Sequence, residues 1–180
     1  MEKESDDKDA RSELAECSML AGIAISHTRT AMCHSISYPL TSHFNVPHGI
    51  ACAFTMQEIL RINLKSNDVR FEKLAKMLLG TNKSTNDLID FFGTFLDSLN
   101  VLKVFKSYIN DINKLNHLIP EMFTKTRAKN SFVEITASDM RSILKNSLNK
   151  FSLERIHSPN FPTICIMYCK GSKKNPIKSF

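Results

Sequence analysis

"MCHSISYPLTSHFNVPHGIACAF", residues 32–54, decides how this chain is read. Its apolar residues recur at helical spacing on both sides of a short interruption bracketed by Pro39 and Pro47. Proline pushes the residue before it toward extended geometry, so Pro39 is expected to end the first helix at Tyr38. Asn45 is a natural cap and Pro47 a natural first-turn residue for the second. Two helices joined by so short a connection are antiparallel neighbours as a rule. That arrangement sets His34, near the end of the first, beside His48, 14 residues later at the start of the second.

Upstream, "SELAECSMLAGIAISHTRTAMCHSIS" (residues 12–37) reads as one long helix that is apolar nearly all round in its middle, which predicts a central helix packed on several sides. Downstream, "HGIACAFTMQEILRINL" continues the second helix with Ile50, Phe54, Ile59 and Leu60 inward. "NDVRFEKLAKMLL" is stopped by Gly80, and "STNDLIDFFGTFLDSL" places Leu88, Ile89, Phe92, Phe95, Leu96 and Leu99 on one face. "VLKVFKSYINDINKLNHLI" gives a further helix before Pro120, and "TASDMRSILKNSL" opens with Thr136 and Asp139 at capping-box spacing. No strand and no repeat is expected, so the fold class is all-α, an irregular helical bundle. The organisation expected is a polar segment over 1–11, a helical domain over 12–150 and an extended or disordered basic tail over 151–180.

Apolar content of 42% and charged content of 23% belong to a globular domain with a real core. The formal net charge of +6 is local: residues 151–180 carry +4 of it, so the body is nearly neutral. No basic stripe interleaved with aromatics is present, which argues against a nucleic-acid partner. The acidic start "MEKESDDKDARSELAE" is unlike a signal or transit peptide, and no run approaches the roughly 20 apolar residues that cross a bilayer, so no membrane partner and a cytoplasmic location are expected. Five cysteines without C-x-x-C are read as reduced thiols, Cys17, Cys33 and Cys52 as small core residues. Cys165 and Cys169, a lone C-x-x-x-C, are weak evidence for a metal.

On spacing alone, His34 and His48 amount to half of a four-donor metal site or to two ordinary polar histidines. His27 stands two turns before His34, about 10 Å along a continuous helix, too far to share an ion with it. His43 is expected in the turn, exposed. No Asp precedes a His by four anywhere; Asn113 and His117 come nearest, with an amide where a carboxylate would be needed.

The longer stretch "AGIAISHTRTAMCHSISYPLTSHFNVPHGIACAFTM" resembles the signature of the iron-containing (group III) alcohol dehydrogenases: an A-G-x-A helix, a His, a P-L turn and then P-H-G. "TRTAMCHSISYPLT" is nearest to the branch that resembles phosphonoacetaldehyde reductases. The likeness is dense from about Asp9 to Leu60 and looser near "ITASDMRSIL". It implies the C-terminal all-helical domain of the dehydroquinate synthase-like, iron-containing alcohol dehydrogenase fold. It also implies that His34 and His48 are two of four protein ligands of Fe2+ or Zn2+, the others being an Asp and a His in D-x-x-x-H on an earlier helix. Tyr38 stands where many members have a His near nicotinamide and substrate.

The 180 residues hold no Gly-x-Gly and no glycine-rich pyrophosphate loop. The resemblance therefore implies a fragment of a metal-dependent, NAD(P)-linked alcohol/aldehyde oxidoreductase with a weak, incomplete metal site, inactive alone. NAD(P) would be used only with a separately encoded dinucleotide-binding half, and a homo-oligomer is the other expected partner. The alternative is a non-enzymatic helical interaction module or a truncated gene product without activity.

Overall fold

A computed structural model describes residues 7–123 and 130–149, in two units: one holds α1 (Lys8–His27), the other begins at Arg29. Among the described residues there is no strand, so the all-α class holds. The expectations for residues 151–180, and for Cys165 and Cys169, lie outside the described residues.

The helix expected over 12–37 is not continuous. α1 starts at Lys8, capped by the Asp7 carboxylate, which accepts from the amides of Asp9 and Ala10, and it ends at His27. Its last turn is closed by its own side chains: the Ser26 hydroxyl donates to the Ile23 carbonyl at 2.7 Å, and that of Thr28 to the Ala24 carbonyl at 2.9 Å. Such local bonds offer the backbone an alternative to further helix, and Thr28 turns extended. Taken by itself, α1 buries none of its residues.

The second unit opens with α2 (Met32–Phe44), which runs through Pro39 rather than ending before it. Burial outweighs the helical bond that proline forfeits: Met32, Ile36 and Leu40, one turn apart, are fully buried, with Ser35, Ser37 and Pro39 beside them. The Ser35 hydroxyl donates to the Met122 carbonyl, tying this face to the neighbouring segment that carries Met122. α3 (His48–Ala53) and α4 (Met56–Asn63) replace the single helix expected there, broken at Phe54 and Thr55, and a 3-10 turn (Leu64–Ser66) follows. The Phe54 ring is buried face to face on that of Phe105, centroids 3.7 Å apart, which fixes the α3–α4 joint to the core.

α5 (Val69–Leu79) and α6 (Thr85–Ser98) appear as expected. Asp68 caps the first, and Gly80, at φ +110°, ends it in a conformation open to glycine. A capping box of Ser84 and Asp87 opens the second, which buries Leu88, Ile89 and Leu96 while Leu99 stays exposed. α4 lies close on α6: the buried Gln57 amide donates to the Ile89 carbonyl at 3.0 Å, and a Cβ on Gly93 would come within 2.3 Å of its nitrogen. The stretch before Pro120 is two helices, α7 (Val101–Tyr108) and α8 (Ile112–His117), and Pro120 lies inside the short α9 (Ile119–Met122). α10 (Ala137–Leu148) has the expected Thr136–Asp139 box. It buries Met140, Ile143, Leu144, Ser147 and Leu148, and packs on α4, α7, α8 and α9. The core is thus walled by α2, α3, α4, α7, α8, α9 and α10.

Candidate metal centre

The α2–α3 connection aims the histidines. Asn45 closes α2 in the left-handed conformation, φ 54°, which asparagine tolerates better than most residues. Buried Val46 and extended Pro47 carry the chain back along α2, and the Ala51 amide donates to the Pro47 carbonyl to start α3. Three connecting residues reach about 10 Å at most, the rise of six or seven helical residues, enough to bring His48 level with Ser37 and Tyr38. Asn45 is therefore the end of the first helix and not the cap of the second. His34 lies in the first turn of α2 and not near a helix end facing the turn; the connection carries His48 back along α2 far enough for the two rings to meet.

The rings of His34 and His48 are 5.4 Å apart between centroids, inclined by 63°. The half-exposed Tyr38 ring is 5.8 Å from that of His48. Cys52, one turn after His48 on α3, presents Sγ 3.6 Å from His48 Nε2. The donor atoms of His34, His48 and Cys52 all lie within 4.8 Å of one another, the one group of three or more His, Cys, Asp or Glu so placed among the described residues. His48 is exposed and the other two half-buried, so the cluster opens to solvent.

Ser37 orders this group. Its hydroxyl donates to the His34 carbonyl at 2.8 Å, and His48 Nδ1 lies 3.4 Å from the same oxygen. His48 thus has one ring nitrogen beside the Ser37 hydroxyl and the other, Nε2, in a hydrogen bond with the Cys52 sulfur. The Cys52 thiol is pushed up by burial, opposed in part by its hydrogen bond with Ser37. Cys33 is pushed up to about 12, first by burial and then by neighbouring Cys52, and stays a protonated thiol at neutral pH.

Of the residues singled out from sequence, His34 and His48 come together with Tyr38 alongside. His43 is in the last turn of α2 rather than in the turn, and its Nε2 meets the Glu121 carboxylate at 2.8 Å. His27 ends α1, across the break at residues 28–31. Asn113 and His117, on α8, do not join the cluster. Cys52 was missed because a cysteine in an apolar helix reads as a core residue. The signal that finds it is His48-x-x-x-Cys52, the i, i+4 spacing that sets two side chains on one helix face.

The bonds of a tetrahedral zinc site, about 2.3 Å to sulfur and 2.0–2.1 Å to nitrogen, separate the two donors by about 3.5 Å. The 3.6 Å between Cys52 Sγ and His48 Nε2 matches that edge. The same distance is that of a thiol–imidazole hydrogen bond, and with His34 within 4.8 Å of both atoms the group fits a small divalent cation after a side-chain adjustment.

The model of the Fe-containing alcohol dehydrogenase family, C-terminal, matches residues 1–148. Among curated relatives, an NADPH-dependent butanol dehydrogenase of Clostridium saccharobutylicum is 30% identical over 94 residues, 52% of this chain and 24% of the relative. A phosphonoacetaldehyde reductase of Streptomyces viridochromogenes is 38% identical over 63 residues, 35% of this chain and 16% of the relative. A lactaldehyde reductase of Escherichia coli K12 is 29% identical over 72 residues, 40% of this chain and 19% of the relative. The matched part thus spans less than a quarter of the length of each. No solved structure matches significantly. No helix among the described residues is long and apolar enough to cross a membrane. The family match, the all-helical body and the paired histidines of the P-H-G signature agree: the chain belongs to the Fe-containing alcohol dehydrogenase family and corresponds to its C-terminal helical domain.

Proposed function

We propose that this chain supplies the helical, metal-binding part of an NAD(P)-linked oxidoreductase acting on small alcohols and aldehydes. The observation that carries the reading is the convergence of His34 and His48 in one solvent-open cluster of donor atoms. His34 and His48 would hold Fe2+ or Zn2+, which when bound supplies Lewis acidity that polarises a substrate oxygen. The chain's own residues do the rest of the positioning. α2 and α3 hold the imidazoles at a fixed separation, the buried face of α2 anchors them, and the Ser37 hydroxyl stands beside His48 Nδ1 as an outer partner. The Tyr38 phenol, beside His48 and half-exposed, can donate a hydrogen bond to a substrate oxygen.

Cradling a pyrophosphate takes glycine-rich backbone at a helix start, and the sequence contains none, so the nicotinamide cofactor would be brought by a dinucleotide-binding half. The names of the relatives, a butanol dehydrogenase and a lactaldehyde reductase, favour short-chain alcohols and aldehydes as the substrate class.

The test mixes the purified chain, loaded with Zn2+ or Fe2+, with the separately expressed dinucleotide-binding half of a family member and follows NAD(P)H formation from short primary alcohols. The mixture is expected to turn over where neither half does, and His48→Ala in this chain to remove the gain. No turnover on mixing, with both halves folded, contradicts the proposal.

A further inference from the structure

We infer that Cys52 is a third protein ligand of the metal held by His34 and His48, making a site of two imidazoles and one thiolate with a fourth position open. The inference rests on the reading of His34 and His48 as metal ligands and adds a donor that reading does not include. Its basis is geometric. Cys52 follows His48 by one turn of α3, so both side chains leave the same face of the same helix. The separation of their donor atoms, 3.6 Å, is the sulfur–nitrogen edge of a tetrahedral site. His34 approaches from α2 with its donor atom within 4.8 Å of both, so a side-chain adjustment of about 1–1.5 Å would close the triangle to bonding geometry.

The hydrogen bonds point the same way. His48 Nδ1 lies 3.4 Å from the Ser37 hydroxyl, the place of the outer oxygen that metal-bound histidines engage with the nitrogen that does not bind, and Nε2 is the atom that faces Cys52. The neighbouring thiol, Cys33, is half-buried, packs against the core and is not one of the three clustered donors.

A thiolate changes which ion the site prefers. Carboxylate and imidazole donors suit Fe2+, whereas a soft sulfur donor favours Zn2+, and Co2+ as its spectroscopic substitute. Three protein ligands and one exchangeable position is also the composition of catalytic zinc sites, so the third donor leaves room for a substrate oxygen. On binding, the Cys52 S–H loses its proton to solvent as the sulfur–metal bond forms, with no change of oxidation state.

The experiment titrates Co2+ into the reduced full-length chain and records the near-ultraviolet sulfur-to-cobalt charge-transfer band and the visible ligand-field bands. Cys165→Ser/Cys169→Ser serves as the control that removes the other thiol pair. The band is expected in the wild type and the control, and absent from Cys52→Ser. Co2+ affinity is expected to fall by more than about 100-fold in Cys52→Ser, since even outer-shell partners of a metal site cost 10- to 100-fold. Zn2+ should displace Co2+, and Fe2+ should not. Binding that shows no sulfur band, is unchanged in Cys52→Ser and is lost in His34→Ala overturns the third ligand and leaves the histidine reading standing. A band that survives Cys52→Ser but vanishes in the double control overturns it in favour of the other thiols. Absence of saturable binding to the wild type overturns both.

Discussion

The α2–α3 pair and the α5–α6 pair are both helices joined by a short connection, yet their ends are built differently. α5 and α6 close their termini with local devices: the Asp68 cap, the Gly80 stop and the Ser84–Asp87 box. α2 and α3 have no side-chain cap bond at their starts, α2 carries a proline inside, and α3 is only 6 residues long. Its first residue, the place where a helix most needs its amides covered, is His48. What holds this pair is the far side: Met32, Ile36, Leu40 and Ala51, none of them exposed, and Phe54 stacked on Phe105. Local rules of helix design are kept where a pair only has to be stable, and broken where it presents donor atoms to solvent.

The most forceful way to break that contrast is to remove the support behind α3. Phe105→Ala takes away the ring on which Phe54 stacks and is expected to cost about 3–5 kcal/mol of unfolding free energy, measured by urea denaturation. A loss below 1 kcal/mol would mean that the α3–α4 joint is held by something else. Next in size is Gly93→Ala, whose new methyl meets the bonded amide of Gln57; about 1–3 kcal/mol is expected, recovered in part by Gln57→Ala in the same chain.

Ser84→Ala removes one cap of α6 and should cost about 1 kcal/mol. His34→Ala and His48→Ala, whose side chains are not core, should each stay within about 0.5 kcal/mol of the wild type without metal. Equal losses in the two pairs would erase the distinction.

The smallest and broadest test is the pH dependence of stability. The hydrogen bonds of the Arg70 side chain and amide hold the Asp68 carboxyl down at about 2, and Ser84 and Thr136 likewise lower Asp87 and Asp139. A carboxyl lower in the folded chain stabilises it above the ordinary carboxylate range, and that contribution fades as pH falls through the folded value. The denaturation midpoint should therefore decline from about pH 4 to about pH 2. Cys33 has the opposite sign: raised from 9.0 to about 12, it favours the folded chain below the unfolded value, and that contribution is lost as pH rises through the folded one. Cys33→Ser should shallow the alkaline decline.

The same asymmetry explains what could be read from the sequence. α5, α6 and α10 were legible because serine, threonine, aspartate and glycine at their ends each have one local job. The break after His27 was not, since "SHTRT" closes a helix through side-chain bonds to its carbonyls, and neither threonine nor serine forbids continuation. Pro39 misled in the other direction, because tertiary burial of α2 overrides the local preference. The nearness of His34 and His48 followed from the short connection and their reading as a ligand pair from the family signature, whereas Cys52, one turn after His48 in a helix the sequence already placed, was passed over as an apolar-helix cysteine.

The central claim is that His34 and His48 face a common ion. Calorimetric titration of Zn2+ into the reduced full-length chain tests it most directly. Saturation at one ion per chain, abolished by His34→Ala and by His48→Ala with both variants still folded, is the predicted result. Either variant binding Zn2+ as the wild type does would contradict it.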